Sequence, residues 1–218
     1  MKNNTMTTTL LTITGATTLL LVSCENPADS STAATVSEAK EVSTATATGQ
    51  KWSFTEDSTI TFVGSKVTGS HEGGFKKFSG HFYVDGDTLS ASGHEVTIDM
   101  ASTFADDTKL QGHLISADFF NVEAIPTSTF IVTGIEAKAG AKGETHLLTG
   151  NFNFHGVTKS IDRPVTVAQS TDAINLKADF FINRFDFDVK YPGMQDDLIN
   201  DEVVIRFDIN AKPTTTHS

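Results

Sequence analysis

VVIRFDIN, residues 203–210, sets Val203, Ile205, Phe207 and Ile209 against Val204, Arg206, Asp208 and Asn210. Successive side chains of a strand point to opposite faces, so this alternation reads as a β-strand with one face buried. The same period recurs upstream. Residues 59–63 (TITFV) alternate; Phe78, Phe82 and Val84 share one parity before Asp85-Gly86-Asp87 ends the run; Val96, Ile98 and Met100 repeat it. Residues 128–137 put Phe130 and Val132 on one face and Ile131, Thr133 and Ile135 on the other. Leu148, Phe152 and Phe154 then share a parity around Gly150, and residues 165–167 and 174–182 complete the set. That makes about eight strands joined mostly by short Gly or Asp turns. Residues 106–124 and 183–200 interrupt them, the first with a short helix expected over 108–114. Long amphipathic helices between strands are missing, so the class is all-β, an antiparallel barrel or sandwich.

The inward faces are unusually phenyl-rich. Sixteen Phe stand against two Tyr and one Trp, and every Phe lies beyond residue 51. Rings without polar tips suit a dry interior, which either fills a barrel solidly or walls an apolar hole. By strand parity the candidate lining is Phe62, Phe78, Phe82, Phe130, Phe152, Phe154 and Phe207.

Residues 1–24 read as an export signal rather than part of the fold. Lys2 precedes an apolar, Thr-diluted run over 10–22 that is short for a membrane span. It ends in Leu21-Val22-Ser23-Cys24, which resembles a bacterial lipobox and makes Cys24 the expected lipid anchor. Cys24 is the single cysteine, so an intrachain disulfide and a thiolate metal cluster are excluded. Residues 25–50 are Ser-, Thr- and Ala-rich without an apolar period, and the expectation is a disordered tether. Residues 51–212 then form one domain, followed by a short tail over 213–218. The formal net charge of −11 argues against a nucleic-acid partner.

Three stretches carry a family resemblance: LQGHLISADFFNVEAIPTSTF (110–130), LTGNFNFHGVTKSIDRPV (148–165) and FFINRFDFDVKYPGMQDDLINDEVVI (180–205). In order and spacing they resemble the YceI-like family of polyisoprenoid-binding periplasmic proteins. The resemblance implies a lipocalin-like extended antiparallel β-barrel that holds a polyisoprenoid or a fatty-acid or fatty-amide chain, acts as a binder rather than an enzyme, and needs no cofactor. It implies a periplasmic protein, with a homodimer left open; the expected anchor at Cys24 departs from the family, which is often soluble, and Glu25 rather than Asp after it resembles bacterial lipoproteins of the outer membrane. Phe185 stands where the family often has a small residue, so its ring is a candidate for reshaping the cavity.

A polar head group would want fixed donors, and Arg offers a rigid fork for carboxylate or phosphate. The candidates are Arg184, His155 and Lys159, followed by Lys109 and His113. Each has a structural alternative: Arg184 pairing with Asp186 or Asp188, His155 capping a turn, Lys159 solvated. The histidines lack the spacing of a metal site such as HExxH, so no metal is expected. No Gly-x-Ser-x-Gly elbow is present either. The alternative to a carrier is an envelope β-domain whose Phe rings simply pack, serving as an interaction module.

Overall fold

The computed structural model describes residues 26–43 and 47–215; Cys24 and the expected export signal lie outside the described residues. In chain order the strands are β1 (Gln50–Phe54), β2 (Thr59–Lys66), β3 (Gly69–Phe75), β4 (Phe78–Asp85), β5 (Glu95–Asp99), β6 (Thr103–Ala105), β7 (Thr127–Ala137), β8 (His146–Phe154), β9 (Val157–Gln169), β10 (Ile174–Asn183) and β11 (Asp197–Pro213). Helix α1 (Thr108–Leu114) lies between β6 and β7, where the sequence indicates it. Its N-terminus is capped by Asp107, whose carboxylate accepts from the Leu110 N–H at 2.8 Å.

Eight strands close an antiparallel ring in the order β1, β4, β5, β7, β8, β9, β10, β11 and back to β1. The long β11 forks the wall. Its residues 211–213 pair with β1, while residues 199–208 pair with β2, which continues through β3 to β6. Closure leaves the ring strands without free edges, which an open sheet of this length would have to protect.

The two ends of the barrel differ in filling. Where the β7–β8 and β9–β10 hairpins turn, Trp52, Val84, Val165, Ile174 and Ala211 are all buried to 4% exposure or less, a solid plug of side chains. At the opposite end β8 turns into β9 through His155 and Gly156, both with positive φ (52° and 79°), the geometry of a tight two-residue hairpin. That end is covered by Leu114, Phe119 and Phe120 from α1 and the loop after it, and by Phe187 and Val189 after β10.

Residues 26–43 overturn the expectation of a free tether. β9 and β10 pair directly only between residues 166–169 and 174–177, and beyond Pro164 they diverge. The chain's own N-terminal segment bridges the opening. Thr32 and Ala33 lie parallel to Phe180 and Phe181 of β10, and residues 35–38 run antiparallel to residues 159–162 of β9. Ala34 and Val36 pack on Ile161 and Phe180, and Ala28 covers Val63 and Val204 on the outer surface. Asn151 locks the far end, donating to the Lys40 carbonyl at 2.6 Å and accepting from its N–H at 2.9 Å. Main-chain pairing orders this strap, which is why composition without an apolar period mispredicts it. Pro164, which has no N–H to donate, sits where the ladder partner changes from strap to β10.

Candidate functional site

Between the solid plug and the covered end, the barrel holds a cavity of about 200 Å³ with an almost wholly apolar wall. This is small beside the ~300–1,000 Å³ usual for drug-sized ligands, and it suits one chain rather than a two-chain lipid. Phe62, Phe82, Phe130, Phe152, Phe154 and Phe207 stand on the wall; all but Phe82 are only partly buried although they point inward. Phe152 and Phe154 stack with planes 6° apart and centroids 5.5 Å apart, and Phe154 meets Phe120 at 5.3 Å. At Gly150 an added Cβ would come within 2.3 Å of the Phe130 ring, so the glycine lets that ring lie flat on the strand.

Phe78 is not on this wall. It is the first residue of β4 and lies beside a separate polar groove lined also by Lys51, His81 and Glu95. Phe54, Phe75, Phe119, Phe120 and Phe180 line the cavity without having been selected from the sequence. Phe119 and Phe120 belong to the excursion after α1, where strand parity says nothing. Ile135, expected opposite Phe130 and Val132, joins them on the wall because a β-bulge between Val132 and Gly134 shifts the register.

The expected head-group donors are dispersed. Arg184 reaches the wall, but its fork is spent on the chain. Nε donates to the Asn200 carbonyl at 3.0 Å, Nη1 to those of Val189 (2.8 Å) and Tyr191 (3.0 Å), and Nη2 to that of Ile199 (3.3 Å). Asp201 stands 3.9 Å away, rather than the expected Asp186 or Asp188. Burial lowers the Arg184 pKa and Asp201 partly restores it. Phe185 is exposed and stacks on this guanidinium at 4.3 Å, so its ring lies outside the cavity. His155 shapes the β8–β9 turn and donates from Nδ1 to the Phe187 carbonyl at 3.2 Å. Lys159 faces outward to Glu38 of the strap at 2.6 Å. Lys109 is exposed on α1, and His113 packs between Phe119 and Tyr191 with Asp118 at 3.4 Å.

The polar residues of the wall divide sharply. The Ser128 hydroxyl donates to the Asn153 carbonyl at 2.7 Å. His94, 1% exposed, accepts at Nδ1 from the Tyr83 N–H (3.0 Å) and donates from Nε2 to the Ser90 carbonyl (2.6 Å). Those partners fix a neutral ring, and burial lowers its pKa. Arg163 is different: it is 2% exposed, and neither Nε nor Nη1 has a hydrogen-bond partner among the described residues. Its guanidinium carbon lies 3.9 Å from the centroid of Phe180, 5.3 Å from Phe130 and 5.4 Å from Phe207. Arg163 is not among the cations that the sequence singles out, since it lies between Asp162 and Pro164. The usable signal was parity, which places Arg163 between Ile161 and Val165 on one buried face.

The sequence profile of the YceI-like domain matches residues 52–211. The chain belongs to the YceI-like family. Among curated relatives, a UPF0312 protein of Azotobacter vinelandii is 36% identical over 96 residues, covering 44% of this chain and 46% of the relative. One from Pseudomonas putida strain GB-1 is 31% identical over 127 residues, covering 56% and 65%. This chain therefore spans about half to two thirds of the length of these relatives. Among solved structures, BcnA of Burkholderia cenocepacia is 28% identical with a TM-score of 0.58, covering 71% of this chain and 96% of that one. A polyisoprenoid binding domain from Saccharophagus degradans has a TM-score of 0.62 at 17% identity, covering 77% and 100%, and shares the fold.

Proposed function

We propose that this protein binds and sequesters or transports a single-chain apolar amphiphile, of polyisoprenoid or fatty-acyl type, inside its barrel in the bacterial envelope. The observation that carries this reading is the phenyl-lined cavity, whose inward rings remain only partly buried while the opposite end of the same barrel is packed solid. Transfer of each CH₂ from water into such a wall is worth about 0.8 kcal/mol. Ten of them supply roughly 8 kcal/mol, micromolar binding before the cost of ordering the chain is subtracted. YceI-like membership and the polyisoprenoid-binding description of the Saccharophagus neighbour support the same class of ligand.

The anchor belongs to the proposal as well. Lipidation at Cys24 would hold the barrel at the periplasmic side of a membrane, favouring the outer one, where such amphiphiles reside. The strap then starts within two residues of the anchor, so little slack separates lipid from barrel.

Ligand that binds only the native state stabilises it by mass action. Titration of detergent-free protein with a long-chain alcohol should raise the thermal midpoint in step with ligand concentration. A midpoint indifferent to every chain length would favour the packed interaction module instead. Labelling with radioactive palmitate tests the anchor: label should appear on wild type and vanish in Cys24→Ala.

A further inference from the structure

Among the described residues, Arg163 lines the apolar cavity with two buried donors, Nε and Nη1, that have no hydrogen-bond partner. We infer that Arg163 is the recognition point for the ligand's head group, and that this head is a singly charged carboxylate on a single apolar chain. The inference deepens the carrier reading above and rests on it.

Arg163 is the seventh of the thirteen residues of β9, so its side chain enters at mid-height of the wall rather than at a rim. Burial pulls its pKa down to about 9, which still leaves the guanidinium protonated at neutral pH. The charge of neighbouring Asp162 offsets part of this shift, but its carboxylate makes no hydrogen bond to the fork and pairs with Lys40 of the strap at 3.2 Å. Rings of Phe130, Phe180 and Phe207 surround the charge, and their negative faces attract a cation, yet they accept no conventional hydrogen bond from its N–H groups. A desolvated ion without a partner is strongly disfavoured. Arg184 shows what this chain does when an arginine serves the fold alone: every nitrogen of that fork has a backbone carbonyl.

The chemistry of the missing partner follows from the fork and from the charge count. A planar carboxylate accepts two parallel N–H bonds from a guanidinium and cancels one charge. An amide or phenol would satisfy a donor but leave the charge. A phosphate monoester, with its charge nearer two at neutral pH, would bury a surplus anion beside a single cation. Among these heads a carboxylate is the one that fills the fork and leaves no surplus charge, its hydrocarbon tail running along the phenyl wall.

The test is competitive binding of dodecanoate, dodecan-1-ol and a prenyl monophosphate to delipidated, full-length protein. Wild type should prefer dodecanoate over the alcohol by at least about tenfold, and in Arg163→Met that ratio should collapse to near one. Lys159→Met, which alters an outward-facing cation, should keep the wild-type ratio. A ratio near one in wild type, an unchanged ratio in Arg163→Met, or preference for the phosphate overturns the assignment. Should Arg163→Met fail to fold, the wild-type ratio decides. Binding of the alcohol without preference for the carboxylate sinks Arg163 alone, whereas failure of every chain to bind sinks the carrier reading beneath it.

Discussion

Arg184, where the chain leaves β10, and Arg163, at the middle of β9, are both buried, and their surroundings are opposites. Arg184 gathers four carbonyls and thereby ties the 184–201 loop onto the barrel. Arg163 gathers three phenyl rings, and its Nε and Nη1 have no acceptor among the described residues. Burial alone would rank the two as equivalent. The hydrogen-bond inventory separates an arginine that finishes the fold from one that leaves chemistry open, because a desolvated donor without a partner is costly wherever it sits.

The contrast is easiest to break at Arg184. Arg184→Met leaves several carbonyls without a donor and should cost about 3 kcal/mol or more. For a domain of this size that lowers the thermal midpoint by roughly 6–12 °C, readable by calorimetry; a loss under a third of that would mean the loop is held by other contacts. Next in size is the strap. Val36→Asp puts a charge against Ile161 and Phe180 and should cost about 2 kcal/mol in urea denaturation. Faster amide exchange at residues 159–162 and 180–181, whose ladders the strap completes, would show that the seam has opened. Arg163→Met should go the other way from Arg184→Met, leaving stability unchanged or raising it by up to ~2 kcal/mol, since an unpaired charge is replaced by an apolar chain. A loss as large as that of Arg184→Met would make the two arginines alike after all.

His94 supplies a pH test. Its native pKa is lowered from 6.5 by burial, so on acidification the unfolded chain takes up this proton first. The stabilisation is complete above about pH 6.5 and is lost as the pH falls from there towards the lowered native value. Urea curves at pH 7.5 and 5.5 should show wild type losing more stability than His94→Gln over that interval. The smallest effect belongs to the surface: Lys159→Met removes a strap contact whose Glu38 partner is largely exposed, and should cost under about 0.5 kcal/mol.

Much of the fold was legible because period-two burial is a local property. The parities of residues 203–209, 78–84 and 148–154 point to a barrel of about eight strands, and the ring has eight. Parity fails where the ladder slips: the bulge at 132–134 moves Ile135 to the wall. Parity is also hidden in β9, where Asp162, Arg163 and Pro164 disguise a strand of thirteen residues. The strap was invisible because its order comes from backbone pairing with the seam, and any sequence of small residues can supply that. The candidate site was legible in its apolar part and not in its polar part. Phe rings announce themselves by composition, but whether an arginine's donors are occupied depends on carbonyls from distant segments, such as the Asn200 oxygen that Arg184 holds. Of the cations chosen from the sequence, Lys159 and Lys109 face outward and Arg184 is already satisfied.

Head-group recognition by Arg163 requires the cavity to be occupied by another molecule's hydrocarbon. Native mass spectrometry of the protein, purified from its native host without detergent, asks this directly. The expected result is a stoichiometric adduct that organic extraction releases as one single-chain amphiphile. A spectrum containing only the bare protein mass, from material that also fails to take up any added chain, would contradict it.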